Sequence, residues 1–499
     1  MRVFHSHARL YSPSRTLTRV LWQDTKSIIL PVAGNIACSF NFCNIGYAVQ
    51  LMRLEHPVPR WAAPAFASSC LCGAVLGQLL LGWFGDRFGR RPAMVITTGL
   101  IVFGALGSAV MTTGYGNWIW QSLVVWRFIL GIGLGGTYPL AAVMAGEASD
   151  DRGLGRTRRV ALAIAVQIVG NILAPVLLFV LLCLLGTDRV TREPWATELG
   201  WRFLLGIGAL PGIVALKEIV VDSGTEAESN EYLDARASGG IGRLREIWAV
   251  MFDSSSDSKY RTRLIGCAAG WAAFDMCFFG IVIFLPHVIH DLIDRNDEAM
   301  GYLMLNALVS TAINCIAIPA ALLSFRLVGD DGFGRKNLQS FSFILICVAY
   351  AVLAFFFNSL RAIEATTAIV LLFAALFFCL NFGAGMTTYM LPQESFPVEV
   401  RASLNGVAAA AGKIGAILGA SAFAPSARIL GLGNTFACCA FTACVGLGVT
   451  ILFVPDMRKV PACRRPVLGA PAHLLLANLL ARLHAHEVEW CWCLALADS

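Results

Sequence analysis

Three charges stand where the neighbouring sequence offers little to pair with them. Asp275 lies inside the apolar run 264–290, Lys413 inside 402–424 and Arg127 inside 118–145. A charge in such a run is expensive to bury and marks a pathway or site more often than scaffold. Asp275 and Lys413 fall on different predicted helices of the same half of the chain. A carboxylate and an ammonium brought together there can trade partners: a small anion that claims the ammonium leaves the carboxyl free to hold a proton. The plainer alternative is an ion pair that only joins two helices. Arg127 opens the stretch Arg127-Phe128-Ile129-Leu130-Gly131-Ile132-Gly133-Leu134-Gly135-Gly136. Its glycine face lets helices approach closely, so the guanidinium is expected to anchor backbone carbonyls rather than meet a ligand.

The elements that position these charges follow from composition. The chain has 499 residues, 57% of them hydrophobic and 14% charged, with a mean hydropathy of +0.68. Soluble domains carry about 25% charged residues, so a secreted, disordered or nucleic-acid-binding protein is excluded. Runs of about 20 apolar residues fall near 27–52, 61–84, 93–113, 118–145, 160–186 and 201–221, and again near 264–290, 302–325, 339–357, 364–391, 402–424 and 429–454. All twelve must be helices, because hydrocarbon offers no partner to an open backbone. With the N-terminus inside, 27 of the 38 basic residues lie on the cytoplasmic side and 8 outside, which places both termini in the cytoplasm. The sixteen cysteines are scattered singly through apolar runs and read as small hydrophobes, with no disulfide framework and no metal site expected.

The polar segment 222–263 divides the spans six and six, and an internal echo supports two homologous halves. The loop after the second span reads Gly85-Asp86-Arg87-Phe88-Gly89-Arg90-Arg91; the loop after the eighth reads Gly329-Asp330-Asp331-Gly332-Phe333-Gly334-Arg335-Lys336. The expected layout is a cytoplasmic segment 1–26, a six-helix bundle 27–221, a central loop 222–263, a second bundle 264–454 and a tail 455–499. These features resemble the major facilitator superfamily over residues 25–455. The resemblance implies an all-α membrane protein in which two six-helix bundles rock about a site near the bilayer midplane.

Finer motifs resemble the fungal and plant proton-coupled phosphate symporters of that superfamily. Gly135-Gly136-Thr137-Tyr138-Pro139-Leu140, with Glu147 nine residues after the tyrosine, is similar to their fourth-helix signature. Trp271 and Asp275 keep the seventh-helix spacing of four, which sets both on one helical face. Ala411-Gly412-Lys413 matches the eleventh-helix lysine motif, and Gln167 matches a fifth-helix glutamine. Asn381-Phe382-Gly383, Thr387-Thr388 and Pro392-Gln393-Glu394-Ser395-Phe396-Pro397 resemble the tenth helix and its exit. The resemblance assigns Tyr138, Gln167, Trp271, Asp275 and Lys413 to a phosphate pocket, with Asp275 as the proton-coupling group. Structural or gating roles fall to Asp86, Arg87, Arg90, Arg91, Arg127, Glu147, Asp331, Arg335, Glu394 and Arg401. The departures are specific: Thr137 replaces the signature aspartate, and Cys38 and Asn41 stand where first-span aspartates are usual. The third-span glutamate is missing, and Phe279 and Gly385 replace a pocket tyrosine and asparagine.

The sequence therefore points to a carrier that imports inorganic phosphate with protons. A sugar or organic-ion carrier of the same fold, or a transport-incompetent nutrient sensor, are the alternatives. No nucleophile, metal or nucleotide motif stands out, so neither an enzyme nor a cofactor is expected. The expected partners are the anion, the proton and the bilayer, for a monomer or weak oligomer in the plasma membrane, with an organellar membrane as the alternative. Arg2, Arg9, Arg15 and Arg19 read as a positive-inside flank rather than a transit peptide, and the tail as a surface helix or a disordered segment.

Overall fold

The computed structural model describes residues 13–59, 61–147, 156–221, 259–283, 299–329, 333–397 and 400–456. Among them there is no strand; the chain is a succession of helices. Eleven segments are long and apolar enough to cross a bilayer, and the helix Pro13–Met52 covers the remaining predicted span, 27–52. The spans are thus the first (Pro13–Met52), second (Ala62–Phe88), third (Arg90–Met111), fourth (Asn117–Glu147), fifth (Thr157–Leu185) and sixth (Pro194–Lys217). After the central loop come the seventh (Lys259–Val282), eighth (Leu303–Leu327), ninth (Arg335–Ala362), tenth (Thr366–Ser395), eleventh (Arg401–Leu430) and twelfth (Leu432–Phe453). The tail and the sequence expectations that fall on it lie outside the described residues, as does Asp331.

Large apolar side chains point outward along these helices. Leu184, Phe355 and Ile429 are about 80% exposed, an arrangement that suits hydrocarbon and not water. The polar side chains point inward instead: Asn35, Asn41, Asn44, Gln78, Arg127, Asp275 and Lys413 are all buried.

Most predicted spans are shorter than the helices, although the twelfth, 429–454, overruns its helix Leu432–Phe453, and several helices are not continuous. The sixth begins at Pro194, whose fixed φ suits the first helical turn, and passes through a 3₁₀ turn at Ile207–Ala209. The third ends in a π-helical turn, Gly107–Met111. The fifth breaks at Val166, so Gln167 opens the helix that follows. The tenth breaks at Phe382–Gly383, where Gly383 takes φ +63°, a conformation that favours glycine. The amides freed by that break are satisfied: Gly383 N donates to Ser324 Oγ at 2.8 Å and Ala384 N to Ser342 Oγ at 2.9 Å.

The sequence echo has a backbone counterpart. Gly89 (φ +104°) precedes the third span and Gly334 (φ +76°) precedes the ninth, at matching places of the two repeated loops.

Candidate functional site

The seventh and eleventh spans touch through glycine. Gly412, Gly415 and Gly419 line one side of the eleventh span. A Cβ on Gly415 would stand 2.1 Å from the Ala272 carbonyl oxygen, and one on Gly419 2.3 Å from that of Met276. This approach brings the Lys413 Nζ to 2.8 Å from Asp275 Oδ2. Both side chains are buried, at 2% and 3% exposure. The ammonium also stands over three rings: Phe279 at 4.4 Å, Tyr138 at 4.8 Å and Phe42 at 5.5 Å from the centroids.

Beside the pair is a cavity with about 670 Å³ of atom-free space, its mouth included. Tyr138, Gln167, Trp271, Asp275 and Lys413, the five side chains the sequence assigned to a pocket, all line it. Phe279 and Gly385, the two departures from the symporter pattern, line it too, with Asn171, Asn381, Thr388 and Tyr389. Tyr138, Trp271 and Tyr389 form a triangle of edge-to-face rings, with centroids 6.2–6.3 Å apart. Gln167 Nε2 donates to Asn35 Oδ1 at 2.8 Å. Chemically, the cavity gathers one ammonium, one carboxyl and several neutral donors and acceptors on an apolar wall, a set suited to a small oxyanion or polyol.

Thr137, Cys38 and Asn41 do not reproduce the carboxylates they stand in for. Cys38 Sγ donates to the Leu134 carbonyl at 3.3 Å, and Asn41 Nδ2 to the carbonyls of Ala37 and Gly208 at 2.9 Å each. Those two residues tie helices together, while Thr137 Oγ1 donates to the Gly133 carbonyl of its own helix at 3.3 Å. Arg127 is likewise structural in its contacts: it is 1% exposed and donates through one terminal nitrogen to the Asn41 carbonyl. The carbonyl it bonds lies in the middle of the first span.

Four of the remaining sequence-selected charges, Asp86, Arg90, Arg335 and Glu394, lie along two seams between the first six and the last six spans. Asp86 Oδ2 accepts from both the backbone N and the Oγ of Ser403, each at 2.6 Å. It thereby caps the opening turn of the eleventh span, where a carboxylate also meets the positive helix end. Its other oxygen pairs with Arg90 at 2.9 Å. At the second seam, Arg335 grips Glu394 with Nε–Oε2 at 3.0 Å and Nη2–Oε1 at 3.1 Å, and donates to Thr157 Oγ1. Arg335 and Glu394 both belong to the last six spans and Thr157 to the fifth span, so it is the bond to Thr157 that crosses between halves. Arg401 donates to the Phe396 carbonyl, and Arg87 stacks on Trp83 and Phe88 within its own helix. Arg91 lies in the first turn of the third span. Glu147 closes the fourth, and its side chain lies outside the described residues.

The sequence reading did not select Asn35, Phe42, Thr388 or Tyr389. Asn35 carried a signal, since a carboxamide inside an apolar run needs a partner; the rings carried none in a chain with 31 phenylalanines.

A helical, lipid-suited shell around a polar cavity lined from both groups of six spans is the build of a membrane transporter. The chain matches the Major Facilitator Superfamily over residues 35–420, and it belongs to that family. Among curated proteins it is 29% identical over 406 residues to the inorganic phosphate transporter PT2 of Toxoplasma gondii, covering 79% of this chain and 66% of that one. It is 26% identical over 394 residues to the putative inorganic phosphate transporter 1-13 of Oryza sativa subsp. japonica, covering 73% and 76%. Among solved structures it resembles the xylose transporter XylE from E. coli in a partially occluded inward-open conformation, with TM-score 0.65, 17% identity and coverage of 88% and 99%. That likeness concerns the fold.

Proposed function

We propose that this transporter moves inorganic phosphate together with protons by alternating access. The observation that carries the reading is the Lys413–Asp275 contact at 2.8 Å on the wall of the cavity. The phosphate transporters among the relatives support the substrate.

With Asp275 ionised, the ammonium is neutralised and an entering anion meets a carboxylate. Once Asp275 takes a proton, Lys413 is free to bind the anion, and proton and phosphate load together. The Tyr138 hydroxyl, the Gln167 amide and the Trp271 indole N–H are donors for the remaining phosphate oxygens. Release of the anion on the other side returns Lys413 to Asp275 and expels the proton.

Opening requires the halves, 27–221 and 264–454, to part at the Asp86–Ser403 and Arg335–Glu394–Thr157 seams. These lie on the cytoplasmic side if both termini are cytoplasmic, as the basic residues indicate. The protein then works as a monomer or weak oligomer in the plasma membrane.

The test is uptake of labelled phosphate in cells lacking their own phosphate carriers, in acid and alkaline medium. Uptake that rises in acid and vanishes with Asp275→Asn is the expected result. Uptake indifferent to pH removes the coupling. No uptake despite surface expression removes the substrate.

A further inference from the structure

Lys413 has one hydrogen-bond partner among the described residues, Asp275. Where it does not face the cavity, three rings stand around its ammonium. Phe279 lies four residues after Asp275 on the seventh span, while Phe42 and Tyr138 approach from the first and fourth spans. Phe42 and Phe279 meet each other edge to face, with centroids 5.8 Å apart. An ammonium over the face of a ring is attracted by the ring's negative quadrupole, most strongly where water is excluded.

We propose that Phe42, Tyr138 and Phe279 form an aromatic box that holds the Lys413 ammonium at the cavity when Asp275 is neutral. Phe42 and Phe279 are then positioning residues of the anion site. The proposal deepens the phosphate reading and rests on it for its binding arm. Proton-linked loading has a weak point: between protonation of Asp275 and arrival of the anion, the ammonium loses its counter-charge in a low-dielectric cavity. Rings remedy this without competing as acceptors, since they attract the cation but leave its N–H groups available to phosphate oxygens. Because the box draws rings from both halves, it is complete only while first, fourth, seventh and eleventh spans are apposed, as they are here.

Asp275→Asn imitates the protonated carboxyl and isolates the effect. In purified full-length protein in lipid nanodiscs, binding of labelled inorganic phosphate is compared between Asp275→Asn alone, with Phe42→Leu and Phe279→Leu added, and with Phe42→Tyr and Phe279→Tyr added. Leucine keeps an apolar side chain and removes the ring. The leucine pair weakens binding about tenfold, a change within reach of desolvated cation–π contacts. The tyrosine pair stays within about twofold. Equal behaviour of leucine and tyrosine pairs overturns the box.

A second readout needs no phosphate. Thermal unfolding of the same Asp275→Asn protein is followed in a double-mutant cycle between the two leucines and Lys413→Gln. A leucine effect that largely disappears in the Lys413→Gln background supports the box; the same drop in both backgrounds shows mere packing and overturns it. Coupling in this cycle with no phosphate binding by any variant keeps the box and removes the phosphate reading.

Discussion

The first and fifth spans meet as the seventh and eleventh do, yet the two crossings carry opposite chemistry. In the first half, Gly170 lets the fifth span approach the Ile36 carbonyl, and Asn35 and Gln167 are hydrogen-bonded at 2.8 Å. In the second half, Gly415 lets the eleventh span approach the Ala272 carbonyl, and Asp275 and Lys413 meet at the same 2.8 Å. One crossing is a neutral carboxamide pair and the other an ion pair. The neutral pair has no proton to gain or lose near neutral pH and holds one geometry. The ion pair has two ways to open, a proton on the carboxyl or a competing anion on the ammonium. Both halves thus supply a bridge to the cavity wall, and one of them can be switched.

The comparison breaks most completely if the second crossing is made to look like the first. Asp275→Asn combined with Lys413→Gln replaces the ion pair by carboxamides of similar size. Phosphate uptake is expected to fall to background, while the thermal unfolding of the purified protein stays close to that of wild type, because both charges leave together. A large fall in stability would show that the pair is scaffold.

Removing one partner is different. Lys413→Ala leaves a carboxylate buried with no counter-ion, a loss of about 3–5 kcal/mol where such pairs have been broken. Lys413→Ala is therefore expected to be less stable than the double variant despite being the smaller change, with surface expression in acid medium better than in alkaline medium because a protonated Asp275 no longer needs the cation. Unfolding measurements on both proteins at two pH values check the order.

What was legible in the sequence follows the same division. Asp275 and Lys413 were legible because charge inside an apolar run is rare, and the family motif put them together before any coordinates did. Asp86, Arg335 and Glu394 were legible through the repeated loop and the tenth-helix exit, although the partners they take, Ser403 and Thr157, are common residues with no motif of their own. The Asn35–Gln167 bridge was half legible: Gln167 came from the resemblance, and its partner stood unremarked among small residues. The helix breaks at Val166 and Phe382–Gly383 were not legible, since hydropathy registers that a segment is apolar and not whether its hydrogen-bond ladder is continuous. The first-span and fourth-span positions are legible only as departures from the symporter pattern, where Cys38, Asn41 and Thr137 stand in place of carboxylates. Cys38 and Asn41 turn out to bond backbone carbonyls of neighbouring helices, so that region gained packing where charge was absent.

The mildest test asks whether the neutral bridge positions Gln167 or only ties two helices. Asn35→Ala removes the acceptor of the Gln167 amide, and the lost neutral hydrogen bond costs about 1 kcal/mol. Gln167 opens a helix after the break at Val166 and lines the cavity, so without Asn35 its side chain can turn within that space. The expected result is a KM for phosphate raised severalfold with the maximal rate little changed, since the ion pair proposed to drive the cycle is untouched. A fall in maximal rate at constant KM would place the bridge among the moving contacts instead and would make the first crossing, like the second, part of the switch. Asn35→Asp sharpens the result, because an ionised carboxylate there still accepts from Gln167 but returns a negative charge to the first span. Retained hydrogen bonding with weakened phosphate binding would show that this half of the site depends on being neutral.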